Sequence, residues 1–424
     1  MAKFYKFDSG LTLLYEKNAI NKSTSIDILF DCGARCDGKL PGLSHFCEHM
    51  FFTGTDKLSK QDVTKRYFDF IKINAYTSYD DILFTGSIMT NKLKDFLITV
   101  QDMICNSTFT PEAVEEEKKV VIQEIVRSVD EHARHASSLK SYELYGLEHF
   151  EKGILGSKQS VSQIKSKDVK AYVKKYFVKN NCIISVCSPL SFGKVKSLIK
   201  KYFDNTMPSN NLKPLPYRLN KLTMEEKVSV YTKDIDKNFL GVTFMLPFKG
   251  PDLKYRAKLG VICNMIDDIG EGLTKFLRID NSLIYSMNAD YMINFKNSSI
   301  DILTEVSVEN LKPCLDVIGD YVKNLRQNGF NKEQFEKELE KDEYYWQTKV
   351  NTPQYINNGL TKYRFYGRFI EDKEIHAMVQ SLTLDEVNQT MRQIFDNAKI
   401  QVFVYGNATK KDLYTIKQIQ KKFN

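Results

Sequence analysis

Apolar residues crowd residues 43–52, where Leu43, Phe46, Met50, Phe51 and Phe52 cover much of a helix perimeter. That pattern predicts a buried helix. Gly42 just before it and Thr53-Gly54-Thr55 just after it supply the end signals. A second, stronger helix is predicted from Thr110 onward. Thr110 serves as N-cap, Pro111 takes the first helical position, and the acidic first turn suits the helix dipole. Val120, Val121, Ile125 and Val126 flank Glu124 and predict that it lies near the buried side of that helix. Cys182-Ile183-Ile184-Ser185-Val186 and Ile400-Gln401-Val402-Phe403-Val404 read as strands.

These elements recur at a nearly constant distance. Asn91-Lys92-Leu93-Lys94 and Asn310-Leu311-Lys312-Pro313 each precede an amphipathic helix. Phe109-Thr110-Pro111-Glu112 and Phe330-Asn331-Lys332-Glu333 each open a long Glu/Lys-rich helix. Lys167-Asp168-Val169 and Asp385-Glu386-Val387 each lead through a helix into one of the strands above. The offset stays between 218 and 221 residues, for example 387 − 169 = 218. The chain is therefore expected to be a duplication of an α+β half with an antiparallel-rich sheet and flanking helices. A proline-rich, aperiodic stretch from Met207 to Pro216 marks the boundary. The expected halves are residues 1–207 and 219–424, joined by a linker at 208–218.

Composition narrows the class. The chain has 424 residues, 42% hydrophobic and 27% charged, as in an ordinary globular protein. A net charge of +8 is modest for this length, and no basic patch interleaved with aromatics points to nucleic acid. No stretch approaches a membrane span, and Met1-Ala2-Lys3-Phe4-Tyr5-Lys6-Phe7-Asp8 has neither a signal core nor transit-peptide character. Eight scattered cysteines suit reduced thiols, so the cytosol is the expected compartment.

The chemistry sits in the first helix, at His45-Phe46-Cys47-Glu48-His49. Two histidines one turn apart present imidazoles on one face, and Glu48 lies between them in angle, within reach of a water on the metal. This is the H-x-x-E-H spacing of a zinc hydrolase. With 6 histidines in the chain, chance would produce it on the order of 0.01 times. Two ligands do not complete a catalytic zinc site, which takes three. Glu117 and Glu124, seven residues apart on one face of the second helix, both qualify by spacing. Adding the repeat offset to the motif lands near Cys263 to Ile269, which contains no histidine, so the second half repeats the fold without the metal.

The stretches Cys32-Gly33-Ala34-Arg35, Gly42 to Thr55, Asn74-Ala75-Tyr76-Thr77-Ser78 and Glu117 to Glu124 together resemble the pitrilysin/insulinase-type zinc peptidases, which include the mitochondrial processing peptidases and their bacterial relatives. The resemblance implies that Glu124 is the third ligand and that Glu117 supports the site from behind the ligands. It implies that Asn74 and Ala75 grip an extended substrate as an added strand. Gly270 to Tyr285 resembles the family stretch whose arginine and tyrosine reach the active site, here Arg278 and Tyr285. Their chemistry suits it, since both donate hydrogen bonds to a substrate carbonyl or oxyanion. A clamshell of two halves around a chamber is also implied. The chain departs from the family at Phe70 and Ile71, where glycines are common, and at Ile82 and Phe84, where a threonine and a tyrosine are common.

The expected function is a zinc endopeptidase acting on peptides or unfolded polypeptide segments, with Zn2+ held by His45, His49 and Glu124 and with Glu48 as general base. The alternative is a non-catalytic or auxiliary subunit of a heterodimeric peptidase, and the same water chemistry would also serve a non-peptide amide. The resemblance implies a homodimer or a heterodimer with a related subunit.

Overall fold

The computed structural model describes residues 3–18, 22–68, 73–145, 153–212, 222–248, 250, 252–293, 297–349, 366–368 and 370–423. Phe70, Ile71 and residues 213–218 of the expected linker lie outside these. The architecture is mixed α and β with two sheets, and the chain divides into two compact units.

The first unit comprises the described residues within Met1–His135, Leu147–Arg218 and Lys349–Asp372. Its sheet contains β1 (Lys3–Lys6), β2 (Thr12–Lys17), β3 (Ser23–Phe30), β4 (Ile73–Thr77), β5 (Ile82–Met89) and β6 (Cys182–Ser188). Their spatial order is β1-β2-β6-β3-β5-β4, parallel only between β2 and β6. On strand β5 one face is the more deeply buried: Ile82, Phe84 and Ile88 are buried, while Leu83, Thr85 and Ser87 are partly exposed. This also accounts for the departures at Ile82 and Phe84, since both positions face the core.

Helices cover that face. In chain order they include α1 (Leu43–Met50), α2 (Lys60–Phe68), α3 (Leu93–Asn106), α4 (Pro111–Asp130) and, after α5 (His132–Tyr145), which belongs to the second unit from Ala136, α6 (Ser166–Tyr176). Helix α1 is a core element. Phe46, Met50 and Phe51 are fully buried, each contributing about 1.5–3 kcal/mol by leaving water. Gly42 begins α1 with φ of 91°, a left-handed conformation that disfavours any side chain. Asp37 caps the helix from outside, accepting the N–H groups of Gly42 (2.6 Å) and Ser44 (2.7 Å). Helix α4 starts as expected, with the Thr110 hydroxyl accepting the Ala113 N–H at 3.2 Å. Its apolar band is narrower than the pattern predicted. Val121 and Ile125 are buried, but Val120 and Val126 are 46% and 39% exposed, because adjacent positions on a helix point 100° apart.

The second unit comprises the described residues within Ala136–Gly146, Leu219–Thr348 and Lys373–Asn424. Its sheet holds β7 (Lys227–Thr232), β8 (Asn238–Pro247), β9 (Met287–Ile293), β10 (Asn297–Val306) and β11 (Lys399–Gly406), ordered β7-β11-β8-β10-β9. Helices α7 (Leu253–Asp267), α8 (Leu311–Asn328), α9 (Lys332–Lys349) and α10 (Leu384–Asn397) belong to it. Its strand order matches β2-β6-β3-β5-β4 of the first unit, and its single parallel pair, β7–β11, matches β2–β6. The repeated pairs seen in the sequence open corresponding elements: α3 and α8, α4 and α9, and α6 with β6 against α10 with β11. From Ala136 onward α5 packs on the second sheet, with Ala136 and Leu139 against Phe403 and Tyr405. Its Lys140 forms a buried ion pair with Asp301 of β10 at 2.5 Å.

Candidate metal centre

Helix α1 supplies His45, Glu48 and His49, and α4 packs beside it to supply Glu117 and Glu124. The helical spacing brings the two imidazoles edge to face, with ring centroids 4.6 Å apart and planes 61° from parallel. Glu124 Oε2 lies 3.7 Å from His45 Nε2 and 3.4 Å from His49 Nε2. One donor atom from each of the three residues falls within 4.8 Å of the others, the only such His/Cys/Asp/Glu group among the described residues. Around a tetrahedral zinc with ligands at about 2.0–2.1 Å, donor atoms sit about 3.3 Å apart. The donor set of two imidazoles and a carboxylate therefore fits zinc in both type and spacing.

The three side chains differ in their electrostatics. Burial, reinforced by the neighbouring His49 charge, pushes His45 down to about 4, so its ring is neutral. Burial also acts to lower His49, but its hydrogen bonds to Glu117 and Glu124 outweigh that and raise it to about 9. The His49 bond, opposed by desolvation, holds Glu124 below the usual carboxylate range.

Glu117 does not join the donor cluster. Its Oε1 lies 3.0 Å from His49 Nδ1, and because a carboxylate only accepts, that nitrogen carries the hydrogen and leaves Nε2 to face Glu124. Desolvation would raise the Glu117 carboxyl, but His49 and Lys60 more than reverse it. Glu48 is buried beside the imidazoles and accepts a hydrogen bond from the Thr77 hydroxyl at 2.5 Å. Burial raises the Glu48 carboxyl, and Thr77 moderates the rise.

Two residues of this site were not singled out from the sequence. Thr77 lies within the quoted Asn74–Ser78 stretch, and its position two residues from the buried Ala75 places both on the strand face towards α1. Lys60, 2.9 Å from Glu117 Oε2, gave no local signal. Asn74 and Ala75 lie on β4, the edge strand of the first sheet, opposite Thr85 and Phe84 of β5. In the second unit, Arg278 sits in a π-helical turn (Lys275–Asp280), its guanidinium 5.0 Å from the ring of Tyr285. Tyr285 is 80% exposed and precedes β9.

The second unit keeps the frame of the metal site but fills it differently. At the offset of 264 − 45 = 219, Asn264 and Asp268 stand for His45 and His49; at 338 − 117 = 221, Glu338 stands for Glu117. Asn264 donates to Glu338 at 2.6 Å. The Lys341 ammonium lies 2.6 Å from Asp268 and 3.8 Å from Glu338. Lys341 thus bridges α9 to the end of α7, between the residues that correspond to Glu117 and His49.

Comparison with known proteins follows this geometry. The family profile for Insulinase (Peptidase family M16) matches residues 12–158, and the profile for the Peptidase M16 inactive domain matches residues 163–341. The chain is 24% identical over 405 residues to the uncharacterized zinc protease YmxG of Bacillus subtilis (strain 168), covering 93% of this chain and 96% of that protein. It is 26% identical over 209 residues to the probable mitochondrial-processing peptidase subunit beta of Schizosaccharomyces pombe, covering 47% of this chain and 44% of that protein. The solved structure of a peptidase M16 inactive domain from Pseudomonas fluorescens shares the fold, with a TM-score of 0.83 at 14% identity over 96% of this chain and 98% of that one.

Proposed function

Because this chain belongs to the insulinase family of peptidases (peptidase family M16), we propose that it is a zinc-dependent endopeptidase acting on peptides or unfolded polypeptide segments. The observation that carries the reading is the convergence of His45, His49 and Glu124 donor atoms beside a buried Glu48. These three residues would hold Zn2+, which when bound supplies Lewis acidity to a substrate carbonyl and to a water.

The chain's own residues do the rest. Glu48 accepts a proton from the attacking water, and the same carboxyl returns it to the leaving amine as the C–N bond breaks. Thr77 fixes the rotamer from which Glu48 acts. Glu117 orients the His49 ring through Nδ1. β4, an edge strand among the described residues, offers backbone groups at Asn74 and Ala75 to an extended peptide, which would add as a further strand. Arg278 and Tyr285 are assigned the role of hydrogen-bond donors to the substrate carbonyl or its oxyanion. The reading takes the division into a metal-binding and a metal-free half as its frame.

The rival is an auxiliary, non-catalytic subunit. Catalysis by this chain is favoured because His45, Glu48, His49, Glu117 and Glu124 all lie within residues 12–158, outside the stretch that resembles the inactive domain. The proposed partner is a copy of this chain or a related subunit, supported by the similarity to a protein named as a subunit. No helix among the described residues is long and apolar enough to cross a membrane. The compartment proposed is the cytosol, on the scattered free thiols.

The test is metal analysis paired with digestion of a mixed peptide pool read by mass spectrometry, on wild type and Glu48→Gln. Both proteins should hold zinc, and only the wild type should cleave. Undiminished cleavage by a zinc-loaded Glu48→Gln would overturn the mechanism.

A further inference from the structure

The Glu117 side chain is 8% exposed, yet it is a carboxylate with two strong partners. One oxygen faces His49 Nδ1 at 3.0 Å, and the other faces Lys60 Nζ at 2.9 Å. Lys60 opens α2, 57 residues away from Glu117 in sequence, and its side chain is 49% exposed. Most ion pairs with so exposed a partner hold little, but here the other partner is buried, where an uncompensated carboxylate is costly.

Lys60 holds the Glu117 oxygen that does not meet His49. A histidine that ligates a metal through Nε2 must be neutral, with its Nδ1–H donated elsewhere. Glu117 Oε1 is placed to accept that hydrogen bond, 3.0 Å from His49 Nδ1. Apart from His49, Lys60 is the cation within ion-pair distance of Glu117 among the described residues. The two contacts together hold the Glu117 carboxylate in one place against the His49 ring.

We propose that Lys60 is a positioning residue of the metal centre, acting through Glu117 to fix the tautomer and ring orientation in which His49 Nε2 faces Glu124 and His45. This rests on the zinc reading given above. The chain of contact runs from α2 to α4 to α1, so three helices separated in sequence converge on one imidazole. Lys60 itself touches no ligand in this arrangement and is not a catalytic residue.

The experiment is zinc affinity by chelator competition for wild type, Lys60→Met, Lys60→Arg and Glu117→Gln, together with the melting temperature of each metal-stripped protein. Lys60→Met should weaken zinc about 10-fold or more, as loss of a partner behind a metal ligand typically does. Glu117→Gln should weaken it at least as much. Lys60→Arg should stay within about threefold of wild type, because the charge and the hydrogen-bond donor persist. The metal-stripped Lys60→Met should melt within about 2 °C of wild type, since Lys60 is half-exposed and Glu117 keeps its contact with His49. A Lys60→Met variant that holds zinc within twofold of a tightly binding wild type overturns this inference alone. A Lys60→Arg variant as weak as Lys60→Met also overturns it, as does a fall in melting temperature with no change in affinity. A wild type that binds no zinc overturns the proposed function and this inference together.

Discussion

Replacing Thr77 with valine removes one hydrogen bond and little else. Valine keeps the β-branched shape that suits β4, so the strand and its pairing with Ile82 of β5 should persist. What goes is the hydroxyl that donates to Glu48 Oε2 at 2.5 Å. Glu48 is buried, and a hydrogen bond to a charged group is worth about 1.5–3 kcal/mol. At about 1.36 kcal/mol per tenfold in rate, full loss from the transition state would slow the reaction roughly 10- to 150-fold. Water entering beside the carboxylate would recover part of this, so the expected fall in kcat is about 10- to 50-fold. The assay is steady-state hydrolysis of a cleaved peptide from the pool, with zinc content measured on the same preparation. Zinc should be unchanged, because Thr77 contacts the base and no ligand. A kcat within twofold of wild type at full zinc occupancy would refute the positioning role. Loss of zinc would refute it differently, by showing that Thr77 supports the metal rather than the base.

Other residues give independent checks. Gly42→Ala should destabilise the protein by roughly 3 kcal/mol or more in denaturant unfolding, since a Cβ there would lie 2.4 Å from the Leu155 carbonyl oxygen at a φ of 91°; a change under about 1 kcal/mol would contradict the close approach that fixes the start of α1. In the second unit, desolvation would raise Asp268, but Lys341 and the Gly270 and Glu271 N–H groups overcome it and hold the carboxyl at about 2. A depressed carboxyl contributes stability above its unfolded value of about 3.9 and loses it as pH falls towards 2. Lys341→Met should therefore lower stability at pH 7 and flatten the acid-side loss between pH 4 and pH 2, read from urea midpoints across that range; an unchanged acid limb would contradict the bridge.

The sequence exposed what was written locally. The helix proposed to bear the metal was legible because His45, Glu48, His49 and its apolar perimeter all fall within ten residues, and helix caps at Gly42 and Thr110 are local devices too. The duplication was legible because corresponding elements kept their spacing; the two sheets show the same strand order with the same single parallel pair. Side-chain bonds between distant elements left no such trace. Thr77 meets Glu48 only because β4 packs on α1, and Lys60 meets Glu117 only because α2 lies beside α4. The attachment of Ala136 and Leu139 to the second sheet, and the Lys341 bridge, are likewise products of tertiary packing. At Val120 and Val126 the band around Glu124 was read too wide, since only Val121 and Ile125 point to the core.

The most direct test of the metal site is its location by anomalous scattering at the zinc edge, in crystals of the protein purified with zinc. The account predicts one peak at about 2.0–2.2 Å from His45 Nε2, His49 Nε2 and a Glu124 carboxylate oxygen, with Glu117 left bonded to His49 Nδ1. A peak coordinated by Glu117 instead of Glu124, or no peak at these histidines in zinc-replete protein, would contradict it.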